Sequence, residues 1–389
     1  MQVVLVATDT FIDSEQFKKT LLLQIKNYLS SKEISFESII MDHDWILIDT
    51  NDPVTSADLI SEFPGVNFTA IVDETNSNFD DLLKLIISVG KKIIFSNQSF
   101  KVSVDVDGDV NFKTRDLETI ASARLISDLA NYGSTTDEDS PSKTIYVKAR
   151  SDKAYVFNVK YEGPGGIPVG LSGKAICPEL GIVQTTLSNW TTVKMGFEPH
   201  FILFNLQPYS LNEQLLSSAK SILSIFQKTP LIESSVTMVS LGQELSTLFN
   251  LDQKNFPIIM RILLSRIIND VAMKTKCDYS SWFAGINENP IWLQNFILNT
   301  YQKNNIRLLF PDSTLTEKEI TRNMHLSNLP TNSFLDNDWF QKLDNTYTYS
   351  EMQDFDNSLK LSELSFKIMN NIKTVTINQN SDLDYLDLF

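Results

Sequence analysis

Eight basic side chains between positions 91 and 153 have the clearest chemical potential in this sequence, because lysine and arginine pair with phosphate groups. The chain of 389 residues has a formal net charge of −15, which argues against strong binding of polyanions. Residues 91–175 differ from the rest, with 12 basic and 11 acidic residues, whereas residues 1–90 contain 5 and 15. This balance predicts a phosphate-binding surface, although chance spacing of surface charge would give the same counts. The candidates are Lys91, Lys92, Lys101, Lys113, Arg115, Lys148, Arg150 and Lys153.

A segment rich in glycine and proline, residues 162–174, must connect the elements on either side of it. It contains five of the chain's 13 glycines and two of its 13 prolines. Glycine admits backbone angles that a Cβ forbids and proline fixes φ, so the composition predicts a shaped linker. We expect positive φ angles at its glycines to fix the angle between two halves of the chain, with a strand opening at Lys174. The glycines concerned are Gly163, Gly165, Gly166 and Gly170.

The histidines and cysteines form no recognisable metal-binding or triad pattern. His43, His200 and His325 are far apart, and so are Cys177 and Cys277. Few, distant cysteines are typical of a reduced, cytoplasmic protein, in which we expect both to be buried. No apolar run approaches the roughly 20 residues that span a bilayer, so no membrane partner is expected.

The first half of the chain predicts two small α+β domains. Residues 1–75 read as strand, helix, strand, strand, helix, strand, which predicts a ferredoxin-like domain. Residues 76–168 predict a second domain with a strand-like segment at 91–95, a long helix at 116–130, and a hairpin that turns near Ser151.

The second half predicts a different architecture. In residues 169–345, apolar strand-like segments alternate with helical patterns, which predicts a Rossmann-like, doubly wound parallel sheet. Residues 346–389 are polar and lose this pattern, although 357–371 could form one helix. The last stretch, residues 382–389, alternates acidic and apolar side chains.

The linker sequence GPGGIPVGLSGK, at positions 163–174, resembles the segment that joins the two halves of tRNA 4-thiouridine synthetases, the thiamine-biosynthesis-type tRNA sulfurtransferases. The resemblance covers roughly residues 1–325 and is best in this linker. It implies that residues 76–168 are a THUMP domain, an RNA-binding fold of tRNA-modifying enzymes. It also implies an ATP-pyrophosphatase fold for residues 169–345, and it assigns the eight basic residues to tRNA or another structured RNA.

The resemblance fails where the family binds ATP. Active members carry Ser-Gly-Gly-x-Asp-Ser after the first strand of the second half, and the backbone N–H groups of this loop cradle the pyrophosphate. Only Gly181 remains of that pattern, and we expect Glu179 to face the phosphate position and repel it. The altered residues are Glu179, Leu180, Val183 and Gln184. Arg261 and Arg266 match a family helix and leave open a residual anion or RNA site.

Three functions remain open. The leading hypothesis is a tRNA-binding protein that has lost adenylation chemistry, needs no cofactor, and acts as a pseudoenzyme or accessory subunit in tRNA modification. The second is an active, atypical tRNA sulfurtransferase that uses ATP and magnesium. The third is a protein-interaction scaffold that does not bind RNA. The sequence leaves open a protein partner and a homodimer.

Overall fold

The structure is a computed structural model that describes residues 2–8, 15–42, 45–207, 212–282, 294–297, 306–330 and 347–382. The chain divides into two compact units, unit 1 (Met1–Gly165) and unit 2 (Gly166–Phe389). The boundary between the units lies between Gly165 and Gly166, inside the glycine-rich segment.

The described residues of unit 1 form a nine-stranded sheet with helices on one face. Its elements are β1 (Gln2–Thr8), α1 (Glu15–Ser31), β2 (Phe36–Asp42), β3 (Trp45–Thr50), α2 (Pro53–Ser61), β4 (Val66–Asn76), α3 (Phe79–Ile93), β5 (Ser99–Asp107), α4 (Thr114–Asp128), β6 (Thr135–Thr136), β7 (Lys143–Arg150), β8 (Lys153–Phe157) and β9 (Tyr161–Glu162).

The first four strands confirm the predicted ferredoxin-like part. They lie in the order β2-β3-β1-β4, and each neighbouring pair is antiparallel. Strand β4 runs past this part, because its residues 66–72 pair with β1 and its residues 73–76 pair with β8. The ferredoxin-like part and the part that follows therefore share a strand.

The second part of unit 1 packs α3 and α4 against β5, β7 and β8. The two helices approach closely at Gly90, where a Cβ would lie 2.6 Å from a methyl carbon of Leu125. The predicted strand at 91–95 is wrong, because α3 continues to Ile93. The apolar residues that suggested a strand instead finish the helix that buries Ile86 and Val89. The predicted hairpin is confirmed, with β7 and β8 antiparallel.

The opposite face of this sheet carries aromatic side chains and no helix in the described chain. The rings of Trp45 on β3 and Tyr155 on β8 lie 5.6 Å apart. Two strands separate β3 from β8, and adjacent strands are spaced by about 4.8 Å, so a flat sheet could not bring these rings together. The sheet therefore curls toward this face, and Phe68 and Phe157 pack inside the curve.

Unit 2 has a six-stranded sheet among its described residues, in the order β14-β13-β10-β11-β12-β15. Its elements are β10 (Gly173–Glu179), α5 (Val183–Lys194), β11 (Phe197–Asn205), α6 (Asn212–Gln227), β12 (Glu233–Ser240), α7 (Gly242–Leu251), α8 (Phe256–Thr275), β13 (Tyr279–Ser281), β14 (Arg307–Leu309), α9 (Glu317–Leu326), α10 (Tyr349–Ser358), α11 (Leu361–Met369) and β15 (Lys373–Asn378).

Helices cover both faces of this sheet, as a doubly wound fold requires. The strands β10 to β14 are parallel, and the chain reverses direction across the sheet between β10 and β13. One core contains α7 and α8, and the other contains α5 and α6. Neighbouring residues of one strand, Ile176 and Cys177, point into different cores, so β10 is buried on both sides. The predicted doubly wound parallel sheet is confirmed.

The C-terminal region contains more helices and strands than the sequence predicted. Residues 357–371 do not form one helix, because α10 ends at Ser358 and α11 begins at Leu361, with Lys360 at a φ of 51° between them. Strand β15 was not predicted, and it pairs antiparallel with β12 at the edge of the sheet. Apart from Asp382, the stretch of alternating acidic and apolar residues at 382–389 lies outside the described residues.

Candidate functional site

The eight candidate phosphate contacts do not form a single cluster. Lys91 and Lys92 lie in the last turn of α3, whereas Lys113 and Arg115 lie at the beginning of α4. An ion pair between Lys91 and Asp128 shows that the two helices end side by side, so these two pairs lie at opposite ends, about 20 Å apart. The remaining four share the sheet face that carries no helix; they are Lys101, Lys148, Arg150 and Lys153.

Acidic neighbours neutralise the four basic residues of the sheet face. Lys148 pairs with Asp105 directly across β5 and β7. Lys153 lies 2.6 Å from a carboxylate oxygen of Glu74, and this contact raises the pKa of Lys153. Lys101 is paired with Glu138 at 3.1 Å. A phosphate approaching this face would meet a carboxylate beside each ammonium group, which weakens the attraction.

Arg150 has a structural position that the sequence did not reveal. Its guanidinium pairs with Asp107, lies 3.8 Å from a carboxylate oxygen of Asp42, and stacks over the ring of Trp45 at 4.9 Å. Its side chain is only 12% exposed. Arg150 therefore ties the β7–β8 hairpin to β2 and β3, and little of its charge remains for an external anion.

Five members of the set are exposed, namely Lys91, Lys92, Lys113, Arg115 and Lys153, and three of them differ from the others: Lys92, Lys113 and Arg115. None of the three forms an ion pair within the described part of the chain, whereas Lys91 is 2.8 Å from Asp128. The same contact lowers the pKa of Asp128. The structure thus separates cations that are open to a ligand from cations that already have a carboxylate partner.

The loop between β10 and α5 is folded around the side chain of Glu179. The carboxylate accepts hydrogen bonds from the backbone N–H of Gly181 at 3.0 Å and from the hydroxyl of Thr185 at 2.7 Å. Thr186 and the side-chain amide of Asn189 each add a bond of 3.3 Å. Glu179 is fully buried, so the expectation that it faces an open phosphate position is wrong. The carboxylate turns inward because these donors converge on it.

Helix α6 closes the same loop from outside. The side-chain amide of Gln214 donates to the carbonyl oxygen of Leu180 at 2.6 Å, and Leu180 is only 1% exposed. Gly181 has a φ of +76°, and a Cβ there would lie 2.9 Å from the backbone oxygen of Gln214. Val183 and Gln184 begin α5 and are partly exposed.

Burial controls the protonation of Glu179. Desolvation raises its pKa to about 7, although the hydrogen bonds from Thr185, Gly181, Thr186 and Asn189 act in the opposite direction. Sequence reasoning identified Glu179 and Gly181 but missed the side chains that hold the carboxylate. A signal for them was present, because polar residues crowd a helix that the alternating pattern placed inside the fold; they are Thr185, Thr186, Ser188, Asn189 and Thr192.

Arg261 and Arg266 are not exposed anion ligands. Arg261 is fully buried in α8. Arg266 donates from Nε to Asp356 at 2.6 Å and also pairs with the second carboxylate oxygen. Asp356 is only 3% exposed, so the pair fastens α10 onto α8. The guanidinium of Arg266 therefore already has a carboxylate partner, which lies 90 residues away in sequence.

The linker glycines differ in their backbone conformation and in the space that a Cβ would have. Gly165, Gly166 and Gly170 have positive φ angles of 64°, 85° and 90°, whereas Gly163 has no positive φ. A Cβ on Gly166 would clash with the carbonyl oxygen of Lys194, whereas one on Gly165 would meet nothing within 4 Å. Lys174 is the second residue of β10 and pairs with Glu198 at 2.7 Å.

The cysteines and the described histidines have ordinary environments. Cys177 and Cys277 are both buried and unbonded to each other, and burial raises the pKa of each thiol. His200 shares a hydrogen bond of 2.8 Å with the hydroxyl of Thr237, and burial lowers its pKa to about 4. His43 lies outside the described residues. No group of three or more potential ligands within the described ranges is placed to hold a metal ion. Among the same residues, no helix is both long and apolar enough to cross a bilayer.

Residues 76–159 match the sequence model of the THUMP domain. The chain is similar over a longer stretch to tRNA sulfurtransferases, which confirms the resemblance seen in the linker. A probable tRNA sulfurtransferase of Methanosarcina mazei is 28% identical over 200 residues, which cover 50% of this chain and 49% of the relative. One from Alkaliphilus oremlandii is 23% identical over 272 residues, or 67% of each chain. The chain thus matches about half the length of the first of these relatives.

Two solved structures share the fold. A 4-thiouridine synthetase crystallised with RNA and bound ATP superposes with a TM-score of 0.74 and 15% identity, covering 97% of this chain and 100% of that one. A protein from Pyrococcus horikoshii gives a TM-score of 0.60 at 15% identity, covering 85% and 100% of the two chains. At this identity the likeness concerns the fold alone, and it confirms the predicted fold class.

Proposed function

We propose that the protein binds tRNA through unit 1 and acts in tRNA modification without activating the tRNA with ATP. The observation that best supports RNA binding is the match of residues 76–159 to the THUMP domain. The similarity to proteins named tRNA sulfurtransferase, and to a synthetase solved with RNA, supports tRNA as the class of RNA. A role in tRNA modification implies that the protein acts in the cytoplasm. An accessory role implies that a second protein supplies the catalysis.

The RNA contact is expected where cations lack carboxylate partners. Lys113 and Arg115 lie together at the beginning of α4 and are exposed. Lys92 is a second, separate exposed cation at the end of α3. The basic residues of the sheet face remain candidates of lower affinity, because each would first have to leave its acidic neighbour.

The loss of ATP chemistry is supported by the loop around Glu179. A pyrophosphate needs free backbone N–H groups at the beginning of a helix and no competing negative charge. Here the N–H of Gly181 is already bonded to a carboxylate, and Leu180 and Gly181 lie buried beneath Gln214. These residues do not fit ATP, so we assign no cofactor and derive no reaction step through it.

An active, atypical tRNA sulfurtransferase is the second candidate. It is favoured by the similarity of nearly the whole chain to a synthetase solved with ATP. It requires the loop of residues 179–184 to open and to lose its internal hydrogen bonds. Formation of AMP in the presence of tRNA and ATP separates this candidate from the first.

RNA binding is tested by titrating the protein with transcribed tRNA and following fluorescence anisotropy at several salt concentrations. Contacts to phosphates release counterions, so we expect affinity to fall steeply between roughly 50 and 200 mM salt. Affinity that is independent of salt, or no binding at 50 mM, would contradict the proposal. Absence of binding would favour the scaffold function.

A further inference from the structure

The junction between β10 and α5 is built like a receptor for a small oxyanion, and its occupant is part of the chain. The groups around the Glu179 carboxylate all donate: one backbone N–H, two hydroxyls and one amide. We propose that this junction is a self-liganded carboxylate site, in which Glu179 is the internal ligand. A free carboxylate ion such as acetate takes its place when the side chain is removed.

The chemistry of the donors selects a carboxylate. Gly181 and Thr185 both bond to Oε1 of Glu179, at 3.0 and 2.7 Å. Asn189 bonds to Oε2, and Thr186 lies 3.3 Å from both oxygens. The site thus contacts two oxygens on one carbon, which is the arrangement that a planar carboxylate presents.

The donors have supports that do not depend on Glu179. Gly181 has a left-handed backbone with a φ of +76° and packs against Gln214 and Ser218 of α6 so closely that a Cβ would not fit. Thr186 has a second hydrogen bond of 3.1 Å to Ser221 on α6, and Asn189 also donates to the carbonyl oxygen of Pro178 at 2.9 Å. Removal of the carboxylate therefore leaves the receptor in place instead of collapsing it.

The size of the site matches acetate. Replacing Glu179 by alanine removes one methylene carbon and the carboxylate, and acetate has the same non-hydrogen skeleton as the removed atoms. Formate lacks the carbon, and tetrahedral phosphate has oxygens that the planar site does not contact. The site is fully buried, so a poorly fitting ion would also lose its hydration without full compensation.

The inference concerns the loop implicated in the proposed loss of ATP chemistry, but it does not rest on RNA binding. Its readout is the stability of the folded chain, with neither tRNA nor nucleotide present. A protein that formed AMP could still show the acetate effect, and a protein that bound no tRNA could do so as well. The two proposals can therefore fail separately.

The test uses the full chain with Glu179→Ala, in a buffer of pH 6 without carboxylates. Thermal unfolding is measured in increasing sodium acetate, with sodium chloride keeping the ionic strength constant. We expect Glu179→Ala to unfold at a lower temperature than wild type, and acetate to raise its midpoint saturably. The rise should be roughly 3 °C at about ten times the dissociation constant. Formate should give less, and phosphate should match chloride.

Wild type and Glu179→Leu are the controls, because the glutamate and the leucine side chain each fill the space. Acetate should move both midpoints no more than its general salt effect does. Equal shifts in all three proteins, or a folded Glu179→Ala that ignores acetate, would overturn the proposal. If Glu179→Ala does not fold in chloride, refolding in acetate should recover soluble protein, and failure in both salts would also overturn it.

Discussion

The guanidinium carbon of Arg150 lies 4.9 Å from the centre of the Trp45 ring, although the two residues stand on opposite parts of the unit 1 sheet. The same side chain pairs with Asp107 and donates to the backbone oxygen of Asp42 at 3.3 Å. These contacts join β2 and β3 of the ferredoxin-like part to β5 and β7 of the second part of unit 1. A residue that looked like a phosphate ligand is therefore a link between the two parts.

The first prediction is that Arg150→Ala destabilises unit 1 by about 1–3 kcal/mol, because it removes charged hydrogen bonds and a cation–π contact. Hydrogen exchange of the full chain measures this locally, and the β7–β8 hairpin and β3 should lose protection together. Lys153→Ala is the matched control, since its pair with Glu74 is more exposed and should contribute less than 1 kcal/mol. Equal effects of the two substitutions would contradict the assigned role.

The second prediction concerns pH. Burial raises the pKa of Glu179 in the folded protein from its usual 4.5 to about 7. The folded state therefore holds this proton more tightly, so the stabilising contribution is complete below about pH 4.5 and is lost as the pH rises through 7. The loss amounts to at most about 3 kcal/mol. Its measure is the free energy of unfolding of unit 2 between pH 5 and pH 8.

The control for that prediction is Glu179→Gln, which cannot ionise and should lack this pH dependence. The difference between the two proteins matters, because His200 acts in the opposite direction. Its lowered pKa of about 4 makes stability fall as the pH drops below 6.5.

The titratable neighbour of Glu179 on its own strand is Cys177, whose pKa is raised well above its usual value. The hydrogen-bonding groups on α5 and α6 are neutral, namely Thr185, Thr186, Asn189 and Gln214. Parallel pH profiles of wild type and Glu179→Gln would refute the assignment.

The third prediction separates backbone strain from steric clash in the linker. Gly165→Ala should cost about 1–2 kcal/mol, because alanine is strained at a φ of 64° but meets no neighbouring atom. Gly166→Ala should cost about 3 kcal/mol or more, since its Cβ also clashes with the carbonyl oxygen of Lys194. Denaturant unfolding of the two variants gives the comparison. A larger loss in Gly165→Ala would show that the clash at Gly166 is relieved cheaply.

The fourth prediction is that the double variant Lys113→Ala/Arg115→Ala binds tRNA more weakly and with a shallower salt dependence. Each lost phosphate contact should reduce the slope of log affinity against log salt by about 1. The matched control is Lys148→Ala, whose ammonium group already has Asp105 as partner, and we expect little change in affinity. The opposite ranking would place the RNA on the sheet face.

Local patterns predicted most of the fold because the strands and helices here carry strong periodicity. The order of elements in residues 1–75 and the alternation after residue 169 required only that signal. The strand predicted at 91–95 failed because two isoleucines next to two lysines suit either a strand or the end of a buried helix. Packing of Gly90 against Leu125 decides between them, and that contact joins residues distant in sequence.

The candidate sites were harder to predict, because partners far apart in sequence determine what a charged residue does. The spacing of Arg261 and Arg266 says nothing about Asp356, which engages Arg266 from a separate helix. The charge count of residues 91–175 likewise cannot reveal that Asp105 faces Lys148 across the sheet. The sequence identified Glu179 as unusual but did not predict that its side chain turns inward. That orientation depends on α5 and α6 closing around the carboxylate.

The most direct test of the account combines tRNA binding with ATP turnover in one sample. The full chain is saturated with tRNA, with binding verified by anisotropy, and is then incubated with ATP and magnesium while AMP and pyrophosphate are quantified. The account predicts a stable tRNA complex and no AMP above the level of a protein-free control. AMP formed in proportion to the bound tRNA would contradict it and would establish the atypical sulfurtransferase as the function.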